Sequence, residues 1–191
     1  AVGAAGGFDS LLGVEGAAAR LYFAAFPQLL RNSDPAFRFA GRTRRPPADP
    51  VNAMLSFAYA MLLRHWLAAL AAAGFDPYLG FFHRPLAGRA GLALDMMEPF
   101  RPLVADSAVV GAINNGEIRG DDFDRDGGAV LLNANGRKAL IAAFERRMDI
   151  LLTDPADERE KSYRRLFADQ SRRLAQFLEE KRSDFPHYIP R

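Results

Sequence analysis

No cysteine occurs in the 191 residues, which excludes a disulfide framework and any thiolate-held zinc or iron-sulfur centre. A metal site in this chain has to be built from oxygen and nitrogen donors. Lysine is nearly absent as well: Lys138, Lys161 and Lys181 stand against 22 arginines. Arginine offers phosphate a rigid fork, although an Ala-, Gly- and Arg-rich chain also fits a GC-rich genome. Neither sign of charge dominates, for the 23 acids leave a net charge of +2, a balance that still permits a local basic stripe. The chain opens on Ala1-Val2-Gly3 without Met, and no charged segment precedes an apolar one, so no signal peptide is expected. The longest apolar tract, 53–73, could cross a bilayer by length, but Arg64 and His65 sit in its middle, where charge is costly. It reads as a buried helix of a soluble protein, with no membrane expected.

What is present is ordinary globular material, 49% hydrophobic and 25% charged, enough for one packed domain and unlike a disordered tail or a fibre. Helical signals dominate. Leu21, Tyr22, Ala25, Phe26 and Leu29 recur at helical spacing within 14–30. An extended basic connector follows, carrying Arg38, Arg42, Arg44 and Arg45 among prolines. Asp49-Pro50 is an N-cap acid followed by a preset first helical residue, and Gly74 is the matching stop. The helix between them is apolar nearly all round except for Asn52, Ser56 and Tyr59, which fall on one stripe. Something polar should lie opposite. Beyond it come a turn at Asp76-Pro77, a helix from about residue 92 disturbed by Pro99 and Pro102, and a helical stretch over 101–113. Residues 129–132 are a candidate strand or hairpin arm, and long helices are expected over 136–152 and 157–182. The expected fold is mainly α, a helical bundle with at most a minor β-hairpin. Residues 1–12 read as a remnant or linker ahead of a domain over 13–191.

Three features could carry chemistry. Asp95 and Glu98, three apart in an apolar helix, point two carboxylates to one side, and buried acids need a cation or an arginine. His83 ends an apolar run shortly before them and fits either a structural residue or a ligand. Glu15, among small residues that admit a close neighbour, fits either a ligand or a first-turn acid favoured by the helix dipole. His65 and His187 lack such company and read as structural. The run Asp122, Asp124, Asp126, Gly127 imitates a calcium loop but has Asn133 where the bidentate Glu belongs. The early glycines precede no Gly-Lys-Ser/Thr and form no phosphate loop. No Glu-x-x-His pair supports a di-iron centre.

Several segments together resemble the CRISPR-associated integrase family Cas1. They are Glu15-Gly16 with Tyr22-Phe23, Arg42-Thr43-Arg44-Arg45-Pro46-Pro47, Asp49-Pro50-Val51-Asn52 with Leu55-Ser56, Asp76 to His83, Leu94 to Pro102, Arg137 to Ile141, and Tyr188-Ile189-Pro190. The resemblance covers the chain from about Gly13 onward. It implies a divalent-metal-dependent DNA endonuclease and integrase of the prokaryotic cytoplasm that inserts spacers into a CRISPR array. It implies that Glu15, His83 and Glu98 hold Mn²⁺ or Mg²⁺ and that Asp95 lines the same site and assists catalysis. Arg42, Arg44, Arg45, Arg84 and Arg89 would grip phosphates, and Asn52, Ser56 and Tyr59 would face the DNA. The partners implied are prespacer and repeat DNA, double-stranded or branched, the Cas2 protein, a second copy in a homodimer, and in some relatives a fused exonuclease-like or reverse-transcriptase domain. The family's N-terminal β-rich domain is missing from these residues, so more chain is expected ahead of residue 1. The competing expectation is a non-catalytic helical DNA-binding or scaffold module, in which His83 and the acids are merely buried and paired.

Overall fold

The computed structural model describes residues 8–83, 86–181, 183–185 and 188; Arg84, His187, Ile189 and Pro190 lie outside the described residues. Six helices follow in order: α1 Phe8–Ala25, α2 Pro50–Ala72, α3 Gly91–Met97, α4 Ser107–Asn114, α5 Ala134–Met148 and α6 Tyr163–Leu178. Two antiparallel hairpins interrupt them, β1 Phe123–Asp126 with β2 Ala129–Leu132, and β3 Leu151–Asp154 with β4 Arg159–Ser162. The architecture is mainly α with minor β, as the hydrophobic patterning requires.

Helix α2 is the axis. The Asp49 carboxylate accepts from Asn52 N at 2.8 Å and Pro50 opens the first turn. At the other end Gly74 takes φ +88 while Phe75 N donates to Leu70 O and Gly74 N to Ala71 O, a Schellman stop that only a residue without Cβ adopts readily. This helix is long and apolar enough to cross a membrane, but Met54, Leu55, Ala58, Leu62, Trp66 and Leu70 are fully buried against neighbouring helices. Trp66 stacks on Phe167 at 4.4 Å and meets Phe100 at 5.3 Å, joining α2, α6 and the segment after α3.

That segment is one irregular rod. Pro99 and Pro102 remove two helical donors, and the chain answers with a 3₁₀ turn Glu98–Phe100 and a π-helix Arg101–Asp106 before α4 resumes. A π turn widens the helix and re-aims its side chains.

Helix α1 begins at Phe8, so the expected break between 12 and 13 falls inside a helix. Its docking is thinner than the periodicity suggests: no residue from 10 to 25 is buried, and Leu21, expected on the apolar face, is 75% exposed. Tyr22, Phe23 and, just beyond, the buried Phe26 make its aromatic contact with the body.

The other departure is at 151–162, where the continuous helix expected from 157 gives way to a hairpin. Pro155 cannot donate, Glu158 adopts φ +58, and Ser162 caps α6 by accepting from Arg165 N. Lys161, read as part of a solvated charged face, is buried, with Nζ 2.9, 2.5 and 2.8 Å from Asp154, Asp157 and Asp169. Arg173 adds a bond of 2.5 Å to Asp154.

Burial by itself raises the Asp154 carboxyl, but hydrogen bonds from Arg173 and Lys161 outweigh it and hold the group at about 2. In the unfolded chain it returns to about 3.9, so its contribution is present above about pH 4 and lost as pH falls toward 2. Asp154→Asn is expected to cost about 3 kcal/mol at pH 7, by taking from the buried Arg173 guanidinium its close carboxylate partner and from Lys161 one of its three. The gap to wild type should narrow by ~2 kcal/mol between pH 4 and 2, as read from urea unfolding across that range.

Candidate metal and nucleic-acid site

A cavity of about 480 Å³ opens between α1, the 42–45 connector, α2 and the 98–106 rod, lined among others by Glu15, Tyr22, Arg42, Arg44, Arg45, Ser56, Tyr59, Glu98, Arg101 and Asp106. Glu15, Ala18, Ala19 and Tyr22 line it at helical spacing, one face of α1, with alanines leaving room between two polar rungs. Four guanidiniums meet three carboxylates in one basin.

His83 is not among the residues lining this cavity; it stands on the loop between α2 and α3, near enough to Glu98 to act on its carboxyl. The loop is folded by contact of two glycine backbones: a Cβ on Gly80 would lie 2.6 Å from the Gly91 carbonyl carbon and 2.9 Å from Asp95 Oδ2. This crossing aims three amides at one carboxylate. Asp95 accepts from Phe81 N at 2.7 Å, Phe82 N at 3.0 Å and His83 N at 3.0 Å, and its Oδ1 is 2.5 Å from His83 Nδ1. A carboxylate only accepts, so Nδ1 carries a proton, and in the neutral imidazole the lone pair is then on Nε2. Asp95 is not among the residues lining the cavity, and its oxygens are engaged by the loop amides and the imidazole.

Glu98 is half-buried, with Oε1 3.0 Å from Arg101. Burial pushes its carboxyl above the usual range; Arg101 opposes this, Glu15 pushes further up, and His83 and Arg44 pull down. Glu15 and His83 thus each lie in electrostatic reach of Glu98. These three do not converge as tightly as Asp154, Asp157 and Asp169, whose oxygens all fall within 4.8 Å. That second cluster offers carboxylates a divalent cation could use, but the Lys161 ammonium sits among them.

The polar stripe of α2 divides. Asn52 is fully buried, accepting from Thr43 N at 2.8 Å and donating to Gly41 O at 2.9 Å and Asp49 Oδ2 at 2.7 Å. Its side chain is buried and organises the connector from within. Arg42 bonds Asn52 Oδ1 at 2.9 Å and Ser56 Oγ at 3.0 Å and lies over the Tyr59 ring at 5.5 Å. Arg101 covers the same ring at 5.1 Å. Arg44 and Arg45 are exposed at the cavity; Arg89 is exposed outside it.

Sequence reasoning missed Asp106, Tyr22 and Arg101 as parts of this cavity. The signal available was a lone acid in the apolar run 103–110, which had to find donors once buried. Tyr22 Oη donates to Asp106 Oδ2 at 2.6 Å and Tyr59 Oη to Oδ1 at 2.7 Å.

Residues 1–146 match the family described as CRISPR associated protein Cas1. The chain belongs to the Cas1 family. A Geobacter sulfurreducens protein named CRISPR-associated exonuclease Cas4/endonuclease Cas1 fusion is 54% identical over 186 residues, 96% of this chain and 33% of that protein. Among solved structures, a casposase bound to integration product superposes with TM-score 0.86 at 26% identity, covering 95% of this chain and 52% of that one. A Cas6-RT-Cas1–Cas2 complex matches with TM-score 0.83 at 32% identity, covering 98% of this chain and 20% of that one. The chain spans about a third of the length of the Geobacter relative.

Gly80→Ala should be felt at His83, because its methyl meets backbone at 2.6 Å. We expect a loss of about 1–3 kcal/mol together with displaced His83 ring resonances, measured by thermal unfolding and histidine NMR. An unshifted ring would mean that the glycine crossing does not set the Asp95 grip.

Proposed function

We propose that this chain is the catalytic helical part of a divalent-metal-dependent DNA endonuclease and integrase that inserts spacers into a CRISPR array. The observation that carries this reading is the basin itself, where Glu15 and Glu98 stand among four arginines beside an imidazole whose proton is fixed on the far nitrogen by Asp95. Two carboxylates and one imidazole fit Mn²⁺ directly and Mg²⁺ with retained waters. Glu15, His83 through Nε2, and Glu98 would hold the ion. When bound, it supplies Lewis-acid polarisation of a phosphoryl oxygen and neutralises charge on the attacking and leaving oxygens.

The chain's own residues do the rest. Asp95 fixes the tautomer and ring orientation of His83, the part an outer carboxylate plays behind a ligating imidazole. Arg42 is braced by Asn52 and Ser56 and, with Arg44 and Arg45, presents guanidiniums to the DNA backbone, positioning it without reading sequence. Arg89, exposed ahead of α3, extends this grip, and Arg84 joins the same phosphate set on the sequence resemblance alone. A prespacer 3′-hydroxyl attacks the phosphorus at the repeat boundary; the new O3′–P bond forms as the old one breaks, and the displaced 3′-oxygen takes up a proton. Water in the place of that hydroxyl gives hydrolysis. The names of the relatives support Cas2 as a partner and, in some arrangements, fusion to an exonuclease or reverse-transcriptase domain; prespacer and repeat DNA, a second copy of the chain and the prokaryotic cytoplasm complete the proposal.

In a strand-integration assay at fixed Mn²⁺, His83→Ala and Glu98→Ala are each expected to lose at least ~100-fold in rate, the scale of removing a group that stabilises developing charge. Retained rate in either variant would sink the site assignment, whereas a wild-type chain that binds DNA but neither binds Mn²⁺ through these residues nor cleaves branched DNA would favour the scaffold reading. Arg44→Ala should weaken binding to all DNA sequences alike and reduce the salt slope by about one; an unchanged slope removes it from the phosphate set.

A further inference from the structure

Helix α1 carries Glu15, yet it is the least embedded helix of the fold. Its side chains from 10 to 25 are exposed or half-buried. The polar bond the structure describes between α1 and the body is Tyr22 Oη to Asp106 Oδ2 at 2.6 Å. Seven residues separate Glu15 from Tyr22, two helical turns, so both lie on the cavity face about 10 Å apart along the axis. Across the cavity the 98–106 rod repeats the pattern, with Glu98 at one end and Asp106 at the other.

The two rungs of this ladder are opposite in character. At the Glu15–Glu98 end two carboxylates repel, and Glu15 helps push the Glu98 carboxyl upward. At the Tyr22–Asp106 end a short hydrogen bond attracts. Asp106 is only 2% exposed, and its other oxygen is held by Tyr59 from α2 at 2.7 Å. The carboxylate therefore spans two helices while standing on the rod that carries Glu98.

We infer that Asp106 is a positioning residue whose bond to Tyr22 docks α1 and so sets Glu15 at ligand distance from His83 and Glu98. This rests on the metal reading above and extends it. Without the bond, repulsion between the acids and the thin apolar contact of α1 leave Glu15 free to withdraw. Tyr22→Phe isolates the bond, because the ring keeps its edge contacts with Phe23 and Phe26 at 5.1 and 6.0 Å.

The test is Mn²⁺ binding, with no DNA present, followed by electron paramagnetic resonance for wild type, Tyr22→Phe, Glu15→Gln and the double variant. Tyr22→Phe should raise the Mn²⁺ dissociation constant roughly tenfold, the scale seen for groups that orient ligands, and speed amide exchange in α1 while exchange in α2 is unchanged. In the Glu15→Gln background the same substitution should change affinity by less than about twofold, as the ligand it positions is gone. The inference is overturned by a Tyr22→Phe affinity within about twofold of wild type, or by an undiminished effect once Glu15 is removed. If wild type binds no Mn²⁺, the metal reading fails and the tether to it fails with it.

Discussion

Everything in this fold is arranged around the desolvation of α2. A 23-residue helix whose first turns are buried and whose middle buries Ala58, Leu62, Trp66 and Leu70 along one face demands neighbours there, and α3, α4, α5, α6 and the rod supply them. Among the described residues Trp66 Nε1 stays buried there without a hydrogen-bond partner, but the other buried polar side chains of the helix are paired. Asn52 near the first turn and Tyr59 two turns on have to find partners within the protein, because an unpaired buried polar group costs more than a hydrogen bond returns. Asn52 takes the connector's backbone and Arg42; Tyr59 takes Asp106. The cavity forms where these obligatory pairings gather on one stripe, so the site is a consequence of how the core helix disposes of its polar residues.

The same rule explains why the carboxylates differ. Asp95 is surrounded by three amides and an imidazole, and Asp106 by two phenols; each accepts from neutral or near-neutral donors and stays fixed. Glu98 has one arginine and a like charge nearby, so it is the acid with capacity left. Burial raises its carboxyl, Arg101 opposes, and Glu15 adds to the rise. A divalent cation between Glu15 and Glu98 would turn that repulsion into attraction. Asp95 and Asp106 gain nothing comparable, since their oxygens are spoken for.

Much of this was legible in residue order. Asp49-Pro50 and Gly74 delimit α2 to within a residue or two because capping is local chemistry, and Pro99 and Pro102 announce a broken helix because a missing donor is visible in one letter. The hairpin at 151–162 was not legible. The string from Asp157 to Lys161 has the charge density of a solvated helix, and only the packed structure reveals Lys161 turned inward. Leu21 misled in the opposite sense, apolar at helical spacing yet exposed. The candidate site was legible as types, acids and a histidine near apolar runs, but the division of labour was not. Whether Asp95 faces the basin or holds the His83 loop depends on the crossing of Gly80 and Gly91, two backbones eleven residues apart.

Two acid clusters in one chain make the final point about cation sites. By distance alone, Asp154, Asp157 and Asp169 are the better cage, converging within 4.8 Å. They converge because Lys161 is among them with Arg173 behind, and a tethered ammonium outcompetes an ion from solution by its local concentration. Glu15 and Glu98 are not closed on a cation in this way: Arg42 is committed to Asn52 and Ser56, and Arg101 is shared between Glu98 and the face of Tyr59. Looseness is what an exchangeable ion requires: a site already closed on its own cation has no use for another. The cluster that looks most like a metal centre is therefore a staple for the β3–β4 hairpin, and the more open one is the place where a divalent ion would change the electrostatics.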